Sequence, residues 1–308
     1  MPSYDILCIG DVNVDLILSG LQRLPQFGEE VLAQSVGIHL GGCTANVALF
    51  AAHLGLKTAL RARVGTDDFG DFLMAELERL GVSTELILRD PDLRTGITVS
   101  LSGRSDRAFV TYLGTIDSLT RADVTDELLA SARHIHVGSY FLQSKLQPQI
   151  GAILARAREL GCTTSLDTGF DPAGAWDGGL RNAIAHATVF LPNEVEAAAI
   201  AGVVDPLEAA RQLARTGARV AVKMGEAGAA LVTDRGLFQA PALPVSVVDT
   251  TCCGDAFNAG LLCAMLDGKP EEEQLRWGCA AGALIAGGSG ACAERLSRTN
   301  IEKLLAGR

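Results

Sequence analysis

The segment Val248-Asp-Thr-Thr-Cys-Cys-Gly-Asp-Ala-Phe-Asn-Ala-Gly260 sets small and hydroxylated residues directly ahead of an apolar helical pattern. It reads as a strand joined to a helix that begins near Gly254 and runs through Leu266. Small residues in such a turn let successive backbone N–H groups converge on one point, and the helix N-terminus adds about half a positive charge there. Asp255 falls in the first turn and faces the same space. An amide nest beside a carboxylate suits phosphoryl transfer to a hydroxyl. The amides of residues 252–255 would form an anion hole for the transferring group, and the carboxylate would accept the proton. An acid that caps its own helix gives the same local pattern. Familiar signatures are absent: no G-x-x-x-x-G-K-[ST], no H-E-x-x-H and no G-x-S-x-G. A G-x-G-x-x-A string at Gly288–Ala293 follows a helical pattern rather than a strand, which argues against a dinucleotide site.

Such a turn needs a framework of strands and helices to hold it. Short apolar runs recur at Asp5–Ile9, Thr58–Val64, His134–Val137, Thr163–Leu166, Thr188–Leu191, Val220–Lys223 and Ala229–Thr233. Helical patterns lie between them, including Gly70–Leu80, Gln147–Leu160, Glu194–Ala201 and Leu207–Arg215. Several of these end in glycine (Gly81, Gly161, Gly202, Gly217), as helix C-termini do. The alternation predicts βαβ units, an α/β fold and a mostly parallel central sheet. Two stretches break the rhythm with period-two alternation and no helix, at about residues 12–40 and 94–113. They predict small antiparallel strands, either a β lid over the sheet's edge or two irregular hairpins. No internal repeat or Pro-rich linker divides the chain, so residues 1–308 read as one domain.

Composition narrows the function classes. The chain has 308 residues, with 26 Lys+Arg against 36 Asp+Glu, a formal net charge of −10. An acidic balance argues against nucleic acid or an anionic membrane as partner, since each calls for a basic face. Mean hydropathy is +0.25, yet the uncharged run Trp277–Ala293 is short, glycine-rich and alanine-rich, unlike a spanning helix. The N-terminus lacks a basic region followed by an apolar stretch, which implies a cytoplasmic protein. Eight cysteines occur without any Cys-x-x-Cys pair, and most sit in apolar runs as small buried hydrophobes. Cys252 and Cys253 differ, because they stand at the turn just described.

Asp249-Thr-Thr-Cys-Cys-Gly-Asp255 resembles the Asp-Thr-x-Gly-Ala-Gly-Asp signature of the ribokinase-like (PfkB-type) carbohydrate kinases. Further elements follow in the family's order: Gly10-Asp-Val-Asn13-Val-Asp15, Gly41-Gly42-Cys-Thr-Ala-Asn46, Gly65-Thr-Asp67-Asp-Phe-Gly70, Asn193-Glu-Val-Glu196 and Val222-Lys223-Met-Gly225-Glu-Ala-Gly228. Each is weak alone, but together they span about 250 residues. The resemblance implies a three-layer α/β sandwich with a β lid, and an ATP-dependent kinase acting on a sugar hydroxyl. Asp255 would be the base, with Cys252, Cys253 and Gly254 in the anion hole. Asn13, Asp15, Gly41, Gly42 and Asn46 would bind the sugar. Lys223, Gly225, Gly228, Thr251 and Gly254 would line the nucleotide. Asn193 and Glu196 would hold Mg²⁺ through water, although an N-cap with an acid three residues on fits the same pair. Some members carry a monovalent-cation site for K⁺, which here falls at Gly287–Ala291 with Asp249 and Thr251 nearby. Members often dimerise through the lid, which makes a homodimer an expectation.

Two departures from the pattern matter. Cys252 stands where the family has glycine and Cys253 where it has alanine. If position 252 needs a left-handed backbone, cysteine costs roughly 1–2 kcal/mol there. A thiol at a helix N-terminus is expected to have a lowered pKa and to oxidise readily. The second departure is Leu166-Asp167-Thr-Gly-Phe-Asp171-Pro-Ala-Gly-Ala-Trp176, which resembles the Asp-x-Asn-x-Arg segment of fructose and ketodeoxygluconate kinases but lacks the asparagine and arginine. A neutral sugar is therefore the expected substrate, with Ser139 as a contact and Arg104 or Arg107 on the lid as the cations an acidic sugar would need. A nucleoside kinase of the same fold, or a non-catalytic sugar- or nucleotide-sensing protein, are the alternatives.

Overall fold

In the opening run, Ile6 and Cys8 pack into one core cluster while Leu7 and Ile9 pack into another. A strand that is apolar on both faces belongs in the middle of a covered parallel sheet. The computed structural model describes residues 2–103, 107–288 and 293–307. Its strands are β1 (Tyr4–Ile9), β2 (Asn13–Leu21), β3 (Ser35–Gly41), β4 (Thr58–Arg61), β5 (Arg63–Gly65), β6 (Leu88–Asp90) and β7 (Ile97–Gly103). There follow β8 (Arg107–Tyr112), β9 (Ala132–Val137), β10 (Thr163–Leu166), β11 (Val189–Phe190), β12 (Arg219–Lys223), β13 (Ala229–Thr233) and β14 (Gly236–Ala240). The helices are α1 (Cys43–His53), α2 (Asp68–Arg79), α3 (Asp126–Ala130), α4 (Gln147–Glu159) and α5 (Leu180–His186). They continue with α6 (Glu194–Ala201), α7 (Pro206–Ala214), α8 (Cys253–Leu266), α9 (Glu271–Ala286) and α10 (Arg298–Leu305).

The main sheet has the order β14-β13-β12-β11-β10-β9-β1-β4. Its strands from β4 to β12 are parallel, and β13 and β14 finish one edge as antiparallel hairpins. Helices α1, α2, α8, α9 and α10 supply the core cluster on one face, and α3 to α7 the cluster on the other. Helices thus cover both faces of a mostly parallel sheet, the three-layer arrangement expected from the sequence. The run Thr58–Val64 is not one strand: β4 stays in the main sheet, whereas β5 turns away to pair with β6.

A second sheet, β3-β2-β7-β8, forms from the two stretches that broke the helical rhythm. Its outer pairs are antiparallel as expected, but the central pair, β2 with β7, is parallel. The two pieces are separate excursions of the chain, so no tight turn forces them to run in opposite directions. Register gives the sheet two unlike faces. One row carries Asp15, His39, Thr98 and Ser100; the other carries Leu16, Val36, Ile38, Val99 and Val110.

Helix α8 is buried along nearly its whole length, from Asp255 to Ala264, and α9 lies tightly against it. A side chain on Gly260 would come within 2.7 Å of Trp277 O, and one on Gly278 within 2.8 Å of the Phe257 ring. These close approaches fix α8, and with it the turn at its N-terminus. No helix among the described residues is long and apolar enough to cross a membrane.

Candidate active site

The turn ahead of α8 is not fed by a strand. After β14 the chain runs without regular structure through residues 241–249, because Pro241 and Pro244 cannot donate to a ladder and Val247 and Val248 are 61% and 63% exposed. It is held instead by Val248 N, which donates to Ala286 O at 2.8 Å at the end of α9. Asp249 Oδ1 accepts from Thr251 N at 2.8 Å and from Thr251 Oγ1 at 2.6 Å, closing a local turn. Cys252 follows with φ 61° and ψ 4°, the left-handed conformation that glycine would take without strain. The N-cap residue Cys252 makes no side-chain cap, and Cys253 N turns back to donate to Thr250 O at 3.3 Å.

Asp255 is buried in that first turn. Asn46, on α1, donates through Nδ2 to Asp255 Oδ2 at 3.1 Å and contacts Cys252 Sγ at 3.2 Å. Burial, reinforced by the charge of Asp167, pushes the Asp255 carboxyl well above the usual range. Asn46 Oδ1 is buried without a hydrogen-bond partner among the described residues. The expected low pKa at Cys252 is overturned. Burial and the nearby carboxylates Asp255 and Asp15 push this thiol up, and they outweigh the helix terminus.

A cleft of about 720 Å³ lies between the polar row of the second sheet and residues 247–251, the segment leading into α8. Its lining includes Asp15, His39, Thr98, Ser100, Thr250 and Thr251. Asn13 Nδ2 donates to Asp15 Oδ1 at 2.7 Å and to Thr98 Oγ1 at 3.3 Å. Burial raises the Asp15 carboxyl to about 6. Gly41 is required here: a Cβ would lie 2.2 Å from Asp15 Oδ1. Gly42 has φ 98° and starts α1, so the helix-start reading of that glycine pair holds together with its closeness to Asp15. Ser139, left-handed at φ 51° just past β9, has a buried Oγ with no partner among the described residues. Arg107 opens β8 opposite Ser102, another lining residue. Arg104 and residues 289–292, which include much of Gly287–Ala291, lie outside the described residues.

On the opposite flank, Asn193 and Glu196 form a reciprocal capping box at the start of α6. Glu196 N donates to Asn193 Oδ1 at 2.9 Å, and Asn193 N to Glu196 Oε2 at 2.9 Å. Burial and the charge of Asp167 raise the Glu196 carboxyl to about 7. A hard cation would lower that cost, and oxygen donors already engaged in a cap suit Mg²⁺ held through its waters. Lys223 Nζ donates to Asp167 Oδ2 at 2.8 Å and to Asn258 Oδ1 at 3.3 Å, near the amide nest. Gly225, at φ 53°, has nothing nearer than Glu194 Oε1, at 4.0 Å, where a Cβ would stand. Gly228 has a packing reason to be glycine, since a Cβ would lie 2.1 Å from Ala240 O.

Three residues of this constellation were not singled out from the sequence. Asp11 accepts from Cys43 N and Thr44 N at 3.0 Å each and so caps α1 from a distant part of the chain. Asp167 and Asn258 form the cluster around Lys223. An acid at the end of an otherwise apolar strand was the available signal for the first two, and the spacing of three from Asp255 for the last.

A family model described as pfkB family carbohydrate kinase matches residues 3–297. The chain is 33% identical over 294 residues to the ATP-dependent ribose-1-phosphate kinase of Halopiger xanaduensis, covering 93% of each. It is 28% identical over 302 residues to the ribokinase of Bacillus subtilis, covering 98% of this chain and 99% of that one. The solved structure of Arabidopsis thaliana ribokinase complexed with ribose and ATP matches with a TM-score of 0.83 at 25% identity, covering 99% of both chains.

Proposed function

The chain belongs to the pfkB family of carbohydrate kinases, and on that premise we propose that it transfers the γ-phosphate of ATP to a hydroxyl of a small neutral sugar. The observation that carries this reading is the Asp255 carboxyl, buried in the first turn of α8 and held there by Asn46. Asp255 takes the proton from the acceptor hydroxyl as that oxygen attacks, and the 252–255 amides receive the charge of the transferring group. A carboxyl with a raised pKa is a stronger base once ionised. Asn13, Asp15, Gly41, Gly42, Asn46 and Ser139 bind the sugar: the carboxylate accepts from hydroxyls, and the unpartnered Asn46 Oδ1 and Ser139 Oγ gain partners. Lys223, Gly225, Gly228, Thr251 and Gly254 lie on the nucleotide side.

Asn193 and Glu196 would hold Mg²⁺ through water, and bound there the ion would offset phosphate charge. Asp249 and Thr251 would border a K⁺ site. The whole chain works as one domain, with the second sheet as its lid. The hydroxyl-rich row of that sheet favours a neutral sugar; Arg107, at the start of β8, is the residue of the lid that an acidic one would need. The apolar outer row, with Val36, Ile38, Val110 and Tyr112 exposed, supports a homodimer formed through the lid. The acidic surface supports no nucleic-acid or membrane partner, and the free thiols suit the cytoplasm.

The test is a coupled ADP-release screen across pentoses, hexoses, sugar phosphates and ribonucleosides, with and without Mg²⁺ and K⁺. We expect a neutral sugar to give the highest kcat/KM and Mg²⁺ to be required. A ribonucleoside preferred over every sugar would favour a nucleoside kinase, and the lack of ADP release with every acceptor tested would favour a sensing protein.

A further inference from the structure

We infer that Lys223 is a positioning residue of this reaction: clamped by Asp167 and Asn258 behind the 252–255 turn, it holds its ammonium against the turn that carries Asp255. This rests on the reading of Asp255 as the base. The geometry is a closed triangle. Lys223 Nζ donates to Asp167 Oδ2 at 2.8 Å and to Asn258 Oδ1 at 3.3 Å, and Asn258 Nδ2 donates to the same Asp167 oxygen at 2.5 Å. Gly169 N donates to the other Asp167 oxygen at 2.9 Å, so the anchor is itself held. Asn258 stands three residues beyond Asp255 on α8, which puts both on one flank of the helix. A Cβ on Gly254, the residue before Asp255, would lie 3.7 Å from Lys223 Nζ. The cation is thus fixed against the turn that carries the base.

A buried ion pair of this kind contributes little to stability over an apolar pair of the same shape. Its placement is better understood from what its charges face. Asp255 is faced by Asp11 from the β1–β2 connection, Cys43 and Asn46 from α1, and Cys252 from its own turn, with Asp15 of β2 beyond Cys252. Asp167 follows β10, Glu196 lies on α6, and Lys223 is the cation of the group; α9 presents Gly278 and Gly282 to α8. Asp167 disfavours ionisation of Asp255 and Lys223 favours it. The two anchored partners therefore act on the base with opposite signs, and that gives the proposal a signature.

The experiment measures kcat/KM for the sugar against pH at saturating ATP and Mg²⁺, in wild type, Lys223→Met, Asp167→Asn and the double variant. Lys223→Met should move the acid limb up by about one pH unit, Asp167→Asn should move it down, and the double variant should lie near wild type. The double variant, with no unpaired buried charge, keeps the test usable if Lys223→Met does not fold: the Asp167→Asn limb must still move down and the double must still return. Equal loss at every pH in all variants, with the limb unmoved, overturns the inference and leaves the cluster structural. A wild-type profile with no acid limb between about pH 5 and 9 overturns it as well. Asp255→Asn separates the two layers. If that variant keeps a near-normal kcat, the base assignment has failed; if it loses turnover while the limbs stay fixed, only the role of Lys223 has.

Discussion

Position 252 offers a direct measurement of strain at the heart of the site. Cys252 adopts φ 61° and ψ 4°, where a side chain costs an L-residue roughly 1–2 kcal/mol. Alanine at this position keeps the Cβ and therefore the strain, while losing the thiol contact with Asn46 at 3.2 Å. Glycine loses the same contact but escapes the strain. Against that, glycine frees the unfolded chain, which offsets about 0.4–1 kcal/mol. The difference between the two variants isolates the backbone term, so Cys252→Gly should be more stable than Cys252→Ala by about 0.5–1 kcal/mol. Urea unfolding would resolve this, as would thermal unfolding with a separation of roughly 2 °C. Turnover in Cys252→Gly should stay within about threefold of wild type, because the amides that receive the phosphoryl charge are unchanged. A glycine variant less stable than the alanine variant would refute the reasoning, since the left-handed turn would then carry no penalty to relieve.

Two further predictions concern the sugar side and pH. Gly41→Ala would press a Cβ to 2.2 Å from Asp15 Oδ1 and displace that carboxylate. The sugar KM should rise roughly tenfold or more, as for a lost charge-assisted hydrogen bond, with kcat changed much less; an unaltered KM in steady-state assays would exclude Asp15 from sugar binding. Burial raises Asp15 to about 6 from 3.8, and burial with Asp167 raises Glu196 to about 7 from 4.5. The folded state thus holds these protons more tightly than the unfolded state. Their stabilisation is full below the ordinary carboxylate range and is lost as pH rises through about 6 to 7. Buried His134 and His136, pushed down from 6.5 to about 3 and about 4, act in the opposite direction up to about pH 6.5 and so overlap this range. The comparison is therefore with Asp15→Asn/Glu196→Gln, whose Tm should fall less than wild type between about pH 5 and 8. Parallel Tm curves for the two proteins would contradict it.

Much of this architecture could be read from the sequence because its causes are local. Period-two apolar runs, glycine at helix ends and the Asn193–Glu196 spacing each carry their structure within a few residues. The parallel pairing of β2 with β7 could not be read, because it depends on where two distant excursions leave the main sheet. The irregular approach to α8 was hidden behind β-branched residues, although Pro241 and Pro244 were the cue against a strand. At the site, the residue types of the turn pointed to Asp255 and the family resemblance to Asp15 and Asn46, but neither gave a reason for Asp11, Asp167 or Asn258. Those three act across 32 to 91 positions of chain, on α1 and within the Lys223 cluster, so only the fold brings their partners within reach. Cys252 shows the limit from the other side. A helix terminus lowers a thiol's pKa, but the surrounding burial and carboxylates, invisible in a linear motif, reverse the sign.

The central claim is that Asp255 takes the proton from the acceptor hydroxyl. Asp255→Asn keeps the shape of the side chain and removes its basicity. With the best sugar from the screen, calorimetric binding should stay within about threefold of wild type, while ADP release should fall roughly 10²–10⁴-fold. Turnover near the wild-type rate in a variant that binds sugar normally would contradict the account.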